Sequence, residues 1–323
     1  MKRKTKITGL TFIVLCGLFL AGWLLKIPTP GKGPLTAISL PGDIADSSQL
    51  HYIEQPDGSR QYYRVIQPEN KDSIRAILLF IHSVSVHSGW YTDLARQIAQ
   101  NGTLILLPDI GGHGVFASQT ELPDNMHTVL KGFSSVLNSA KEKYPHLPTF
   151  AGGISMGGEL AINFGLSYPN TVDGLLLISP FIAGSNNYDT QACFGRGGMY
   201  SFCFSRFIFP DIESIYVNFP KTLKDPYLRC NYPLSFFNIY KNKDYENPFH
   251  RLSQVRLPVL WLHATKEQII LKDESRQLFE SIASHHKEFM EIEQADHLNI
   301  CTHVKNPINS WIEKTQFLIA SKQ

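Results

Sequence analysis

Unbroken apolar runs alternate along this chain with segments in which apolar residues recur every three or four positions. The runs at 76–81, 103–107, 174–178 and 258–263 are short and rich in Leu and Ile, which is typical of strands buried on both faces of a parallel sheet. Between Met126 and Ala140 the apolar residues fall on one face of a helix. The alternation predicts a doubly wound α/β fold with its functional residues at the carboxyl ends of the strands.

The alternation stops between residues 182 and 255, where aromatic side chains are crowded and no strand-helix-strand pattern is visible. We interpret this segment as a cap inserted after a strand. Some of its rings would fill the core of the cap, and the others would line a pocket for an acyl chain.

The amino terminus carries a candidate membrane anchor. Nineteen residues without a charge run from Ile7 to Leu25, directly after a cluster of four cations, and this length is sufficient to cross the hydrocarbon layer. A cleaved signal peptide is the alternative, but it normally has a shorter apolar stretch and a small-x-small cleavage site, whereas Ala21 and Gly22 are followed by Trp23. The cations favour a cytoplasmic amino terminus, with the remainder on the non-cytoplasmic side, which is the periplasm in a bacterium.

The expected organisation is a basic tip and transmembrane helix over residues 1–27, a Pro/Gly-rich linker over 28–50, and one domain over 51–323. Composition agrees with a globular domain of this size, because 43% of the 323 residues are hydrophobic and 18% are charged. The net charge is only +2, and no basic stripe is present, so we expect no nucleic-acid partner. On the non-cytoplasmic side Cys193 and Cys203 could form a disulfide, although two buried free thiols fit the sequence as well.

The pattern Gly-x-Ser-x-Gly at residues 153–157 supplies a candidate nucleophile, Ser155. It follows the predicted strand at 149–151 and precedes a predicted helix, so the serine lies on a tight strand-to-helix turn that exposes its hydroxyl. The amide of Met156, at the start of that helix, is positioned to stabilise an oxyanion.

A serine nucleophile needs a base and a group that orients the base. His297 follows a strand-like run near the carboxyl end and is the candidate base. Glu267, in the turn after the strand that contains Trp261, is the candidate acid; Asp273 and Glu274 are competitors in the first turn of a helix, where acids are common. We do not expect Asp296 to serve, because it would point away from its neighbour His297 in an extended chain.

Several motifs occur together in an order that resembles one known family. They are His87 to Tyr91, Asp109 to Gly114, Gly153 to Gly158 and Ala295 to His297. On these motifs the chain, over about residues 52–319, resembles the α/β-hydrolase superfamily and, within it, the monoacylglycerol lipase and lysophospholipase branch that is often labelled serine aminopeptidase-like.

The resemblance implies an α/β-hydrolase fold and hydrolysis of a lipid-like carboxylic ester through an acyl-serine intermediate. It implies a small amphiphilic ester as partner and no metal or organic cofactor. The loop after Ile81 would supply the second oxyanion amide, from Val84, and His113 would shape a neighbouring loop without taking part in the chemistry.

Two departures from the family pattern concern the same loop. The family usually has His-Gly-x-Gly where this chain has His82-Ser83-Val84-Ser85, and a serine at a position that needs positive φ would be strained. A shifted substrate range or a domain without activity would follow. A peptidase or an acyltransferase on the same scaffold also remains open; Asp211 and Glu213 are the candidates for binding a peptide amine.

Overall fold

The computed structural model describes residue 44 and residues 49–189, 200–202, 213–219, 223–240 and 247–321. The predicted anchor, most of the predicted linker, and Cys193 and Cys203 lie outside these ranges. In the part of the chain that is described, no helix has both the length and the apolar character needed to cross a membrane.

An eight-stranded sheet forms the centre of the domain. Its strands are β1 (Leu50–Glu54), β2 (Arg60–Ile66), β3 (Ala76–Ile81), β4 (Thr103–Pro108), β5 (Thr149–Ile154), β6 (Gly174–Ile178), β10 (Val259–Ala264) and β11 (Lys287–Ile292). They lie side by side in the order β1-β2-β4-β3-β5-β6-β10-β11. Neighbouring strands from β4 to β11 are parallel, and β2 is antiparallel to both of its neighbours.

Helices cover both faces of the sheet, as the sequence predicts. They are α1 (Thr92–Ala99), α2 (Met126–Lys143), α3 (Met156–Ser167), α4 (Pro248–Leu252), α5 (Lys272–Ser281) and α6 (Lys305–Ala320). One apolar core includes α1 and α6, with Ile98 and Ile312 among its buried residues. The core on the other face includes α2, α3 and α5, with Phe133, Phe164 and Leu278. This is the doubly wound arrangement, and it brings the carboxyl ends of β3, β5, β6, β10 and β11 to one edge.

The aromatic-rich segment lies between β6 and β10 in the chain. Its described part contains a small antiparallel sheet of β7 (Tyr200–Phe202), β8 (Glu213–Val217) and β9 (Asn231–Pro233), followed by a 3-10 helix at Leu234–Tyr240. Tyr232 and Phe236 are buried, and their rings lie 4.9 Å apart. These two rings therefore belong to a core that the segment shares with the main domain, whereas the sequence predicts a core of the segment's own or an acyl pocket for its aromatic residues.

A buried ion pair connects α3 to the end of this segment. Arg251 of α4 donates from Nη2 to Oε1 of Glu159 in α3 at 2.6 Å, and both side chains are almost fully buried. Asn163, one turn further along α3, donates to the same oxygen. Removal of Arg251 would leave the carboxylate of Glu159 in the interior without its counterion.

The start of the domain is also defined by contacts. β1 begins at Leu50, one residue before the predicted boundary. Ile44, within the predicted linker, is buried, and its carbonyl oxygen accepts a hydrogen bond from Arg64 at 3.0 Å.

Candidate active site

Ser155 occupies the turn between β5 and α3. Its φ of 52° and ψ of −119° place a non-glycine residue in a region that L-amino acids rarely adopt, and such strain is typical of functional turns. The strain is held by backbone hydrogen bonds: Ser155 N–H donates to the carbonyl of Ile178, and Phe181 N–H donates to the carbonyl of Ser155. Only 7% of Ser155 is exposed.

Two glycines allow the loop after β3 to approach this turn. A Cβ atom at Gly157 would lie 2.1 Å from the carbonyl oxygen of Ile81, and one at Gly153 would lie 2.5 Å from the backbone of Gly157. No side chain fits at either position without moving backbone atoms. The Gly-x-Ser-x-Gly pattern therefore has a packing cause in this chain, because it lets the nucleophile turn and the end of β3 come together.

His297 and Glu267 form a direct pair. Nδ1 of His297 lies 2.8 Å from Oε2 of Glu267, and the carboxylate side chain is 2% exposed. The other carboxylate oxygen, Oε1, accepts from the backbone amides of Gln268, Ile269 and Ile270 at 3.0 to 3.3 Å. Because a carboxylate only accepts, Nδ1 must carry a hydrogen, and a neutral His297 then has its lone pair on Nε2.

The pair shifts both protonation equilibria. Burial lowers the pKa of His297, but the negative charge of Glu267 and the hydrogen bond between them outweigh burial and raise it above its ordinary value. Burial raises the pKa of Glu267, but His297 and the amide of Ile269 outweigh burial and lower it. Glu267 is therefore ionised at neutral pH, and His297 is a stronger base than a free imidazole.

The other acids that the sequence offered lie elsewhere. Asp273 is exposed in the first turn of α5. Asp296 accepts from the amides of Leu298 and Asn299 through Oδ1, so its carboxylate caps the turn that follows it. Among Glu267, Asp273 and Asp296, the structure brings Glu267 to the imidazole.

Ser155 and His297 follow strands β5 and β11 at the same edge of the sheet, but their side chains are not hydrogen-bonded to each other in this structure. A loose nucleophile–base contact is common in hydrolases without substrate and shortens when the substrate binds. The orientation of His297 by Glu267 leaves Nε2 as the nitrogen that can accept the proton.

Two backbone amides next to this site have no acceptor within the described ranges. They belong to Met156, at the start of α3, and to Val84, in the loop after β3. A free amide at a helix amino terminus attracts negative charge. Neither candidate oxyanion donor therefore has a hydrogen-bond acceptor among the described residues.

The two loop serines differ in backbone conformation. Ser85 has a φ of 71°, whereas Ser83 is not among the described residues with positive φ. Only position 85 thus has the conformation that favours glycine. Its backbone is tied to the aromatic-rich segment, because Ser85 N–H donates to the hydroxyl of Tyr232 at 2.8 Å and its carbonyl accepts from Arg229 N–H at 2.9 Å.

Tyr232 is a residue of the site that sequence reasoning did not identify. It lies 147 positions from Ser85, and nothing in its local sequence distinguishes it from the other aromatic residues nearby. His113, which the resemblance assigned to loop shape, is its second partner, with Nε2 at 2.7 Å from the tyrosine hydroxyl. Across the described ranges, no three His, Cys, Asp or Glu side chains gather closely enough to hold a metal ion.

The sheet order and the strained serine turn after β5 are features of the α/β-hydrolase fold. The sequence model of the family described as serine aminopeptidase, S33, matches residues 72–213. Human monoglyceride lipase is 29% identical over 133 residues, which are 41% of this chain and 43% of that protein. Rat monoglyceride lipase is 22% identical over 274 residues, which are 81% of this chain and 90% of that protein.

Solved structures agree with the fold. One is a soluble variant of monoglyceride lipase from Saccharomyces cerevisiae in complex with a substrate analog. It superposes with a TM-score of 0.64 at 18% identity, and the superposition covers 89% of this chain and 98% of the yeast chain. A thermostable carboxyl esterase from Bacillus coagulans superposes with a TM-score of 0.63 at 16% identity, over 83% of this chain and 98% of its own. The chain therefore has the α/β-hydrolase fold, and in sequence it is similar to the serine aminopeptidase family and to monoglyceride lipases.

Proposed function

We propose that this hydrolase cleaves a carboxylic ester of a lipid-like substrate, a monoacylglycerol or a lysophospholipid, through an acyl-serine intermediate. The observation that carries the proposal is the hydrogen bond between His297 and Glu267 at the same edge of the sheet as the strained Ser155 and the amides of Val84 and Met156, which have no acceptor within the described ranges. These groups supply the base, the orienting acid, the nucleophile and the oxyanion donors of acyl transfer.

The first half-reaction forms the acyl-enzyme. Nε2 of His297 accepts the hydroxyl proton of Ser155 as Oγ attacks the ester carbonyl, and the amides of Val84 and Met156 stabilise the negative oxygen of the tetrahedral intermediate. Glu267 stays ionised and stabilises the imidazolium. His297 then gives its proton to the departing alcohol as the carbon–oxygen bond breaks.

The second half-reaction uses water in place of the serine hydroxyl. His297 removes a proton from water as the water oxygen attacks the acyl carbon, and it returns that proton to Oγ of Ser155 as the acid leaves. The nucleophile and the base are thereby regenerated. The net reaction consumes one water molecule and releases one alcohol and one carboxylic acid.

The lipid-like substrate is supported by the relatives and by the aromatic-rich segment. Proteins named monoglyceride lipase align with most of this chain. Burial of an acyl chain among aromatic and aliphatic residues contributes about 0.8 kcal/mol per methylene, so a long chain is a sufficient source of binding energy.

Anchoring beside a bilayer by the segment Ile7–Leu25, with the domain on the non-cytoplasmic side, forms part of this proposal. The uncharged stretch and the cations before it support it. The test is fractionation of cells that express the full chain. Protein in the carbonate-resistant membrane fraction, sensitive to protease from outside the cytoplasm, agrees with an anchor, whereas a soluble form that begins near Trp23 shows cleavage and release.

Labelling with a fluorophosphonate probe tests the nucleophile. We expect the parent protein and Ser167→Ala, at the exposed end of the same helix α3, to be labelled, and Ser155→Ala to stay unlabelled while folded. A folded parent protein that does not react would exclude the acyl-serine mechanism and favour a binding role.

A peptidase is the competing function, because the matching family is described as serine aminopeptidase. Asp211 lies outside the described residues, and Glu213 is bound to Arg229 by an ion pair, so Glu213 is not a free carboxylate for a substrate amine. A series of p-nitrophenyl esters of increasing acyl length, compared with aminoacyl p-nitroanilides, separates the two activities. We expect kcat/KM to rise with acyl length and the anilides to remain unreacted. Transfer of the acyl group to an added alcohol would instead indicate an acyltransferase.

A further inference from the structure

The loop that carries Val84 is held from the side of the aromatic-rich segment. Both backbone polar groups of Ser85 bond to residues 229–232: its N–H donates to the hydroxyl of Tyr232, and its carbonyl accepts from the amide of Arg229. Ser85 and Tyr232 are fully buried. Water therefore does not compete for these bonds.

The direction of each hydrogen bond at Tyr232 can be assigned. Nδ1 of His113 lies 3.1 Å from the carbonyl oxygen of Gly111, and because a carbonyl only accepts, Nδ1 carries the hydrogen. Burial lowers the pKa of His113 to about 3, so the ring is neutral and Nε2 has a lone pair. The hydroxyl of Tyr232 donates to that nitrogen, which leaves its oxygen lone pairs for Ser85 N–H.

The hydroxyl of Tyr232 holds Ser85 in a backbone conformation that serine does not favour. Ser85 has a φ of 71°, which is unfavourable for a residue with a Cβ atom. Without the hydroxyl its amide would be buried without an acceptor, and the loop would relax toward a conformation that satisfies both the amide and φ. The amide of Ser85 belongs to the peptide group that joins Val84 to Ser85, so this relaxation would also change the orientation of Val84. The N–H of Val84 itself has no acceptor within the described ranges.

We propose that Tyr232 is a positioning residue of the oxyanion hole: its hydroxyl, oriented by His113, holds the Ser85 amide and thereby aims the amide of Val84 at the ester oxygen. The inference rests on the proposed function, because it assigns Tyr232 a role in the same reaction. Tyr232 acts through the loop and does not touch the reacting atoms.

The test is Tyr232→Phe, which removes one oxygen atom. It is assayed with an ester and with the thionoester that differs only in sulfur for the carbonyl oxygen. We expect kcat for the ester to fall by about tenfold or more and KM to change little. This loss is smaller than the 10²- to 10³-fold that removal of an oxyanion donor causes, because Tyr232→Phe displaces the donor and does not remove it. Sulfur accepts hydrogen bonds weakly, so kcat for the thionoester should fall much less than kcat for the ester. The ratio of the ester rate to the thionoester rate should therefore be lower in Tyr232→Phe than in the parent protein. A lower amount of active enzyme would leave that ratio unchanged.

Tyr62→Phe is the matched control. It removes a hydroxyl that donates to Gln119 at 2.7 Å and not to a residue of the loop, and we expect the parent ratio. Ser85→Gly supplies a second measurement, in which the effect of removing the Tyr232 hydroxyl is compared between two backgrounds. Glycine adopts positive φ without strain, so removing the Tyr232 hydroxyl should cost less kcat in the Ser85→Gly background than in the parent.

The outcomes separate the two proposals. A parent protein that is labelled at Ser155 and hydrolyses the ester, with the same oxygen-to-sulfur ratio in Tyr232→Phe or an equal loss in both backgrounds, refutes the positioning role and leaves the proposed function intact. A parent protein without activity that depends on Ser155 refutes the proposed function and this inference with it.

Discussion

Replacement of Glu267 by glutamine reverses the tautomer that the site requires. Three backbone amides donate to Oε1, so in Glu267→Gln the carbonyl oxygen must occupy that place. The NH2 group then faces Nδ1 of His297, where Oε2 lies now at 2.8 Å. Because NH2 only donates, Nδ1 must accept, and the imidazole hydrogen moves to Nε2. A protonated Nε2 cannot take the proton of Ser155.

The expected loss follows from comparable changes in other serine hydrolases. An acid-to-amide substitution that forces the wrong tautomer lowers kcat about 10⁴-fold, which is about 5 kcal/mol of transition-state stabilisation. The three hydrogen bonds from the backbone amides are kept, so thermal melting followed by circular dichroism should show a folded protein. The assay is kcat and KM on a p-nitrophenyl ester whose acyl length suits the parent protein.

Asp273→Asn is the matched control, since it makes the same chemical change at the exposed acid in the first turn of α5. We expect less than about a twofold effect, because exposed charges at a distance are screened. The reasoning would be refuted if Glu267→Gln retained more than a tenth of the parent kcat, or if Asp273→Asn lost as much as Glu267→Gln.

Three further predictions concern packing, charge and pH. Gly157→Ala should lower the free energy of unfolding, measured by urea denaturation, by about 3 kcal/mol, because its Cβ atom would lie 2.1 Å from a carbonyl oxygen of β3. The control is Gly58→Ala, where space is open but φ is positive, and it should lower that free energy by about 1 kcal/mol. Arg251→Met should cost about 3–5 kcal/mol by leaving Glu159 unpaired, and the double variant Glu159→Leu/Arg251→Met should recover most of it. His297 must be neutral to act as a base, and its pKa is raised above the ordinary 6.5. We therefore expect kcat/KM to fall as the pH drops through a value above 6.5. A pH profile of kcat/KM with its acidic midpoint below 6.5 would contradict the pairing of His297 with Glu267.

The sequence predicted most of the sheet because its central strands are buried on both faces. The runs at 76–81 and 174–178 have the same bounds as β3 and β6. β5 was predicted only as far as Ala151 but continues to Ile154, because Gly152 and Gly153 carry no side chain and interrupt the apolar run. α2 continues three residues beyond Ala140, since its last turn is polar and the helical pattern of apolar residues has already ended.

The candidate site divides into local and distant parts. Ser155 could be predicted from its own turn, since the flanking glycines are required by close backbone contacts. The sequence favours Glu267 as the acid but leaves Asp273 and Glu274 as competitors, because all three follow β10 within a few residues. The choice depends on which carboxylate reaches His297, and that depends on how the turn at Glu267 folds back on its own amides.

The loop serines show why a local pattern alone does not predict the oxyanion hole. A glycine at position 85 would adopt positive φ without assistance, whereas Ser85 in that conformation costs about 1–2 kcal/mol and is held by Tyr232 and Arg229. The geometry of Val84 therefore depends on the docking of residues 229–232 against the main domain. In the proposed site, the shape of the loop that carries Val84 is a property of two segments far apart in sequence. A serine stands at position 85 where the family that the chain resembles has glycine, and the second segment supplies the buried acceptor for its amide.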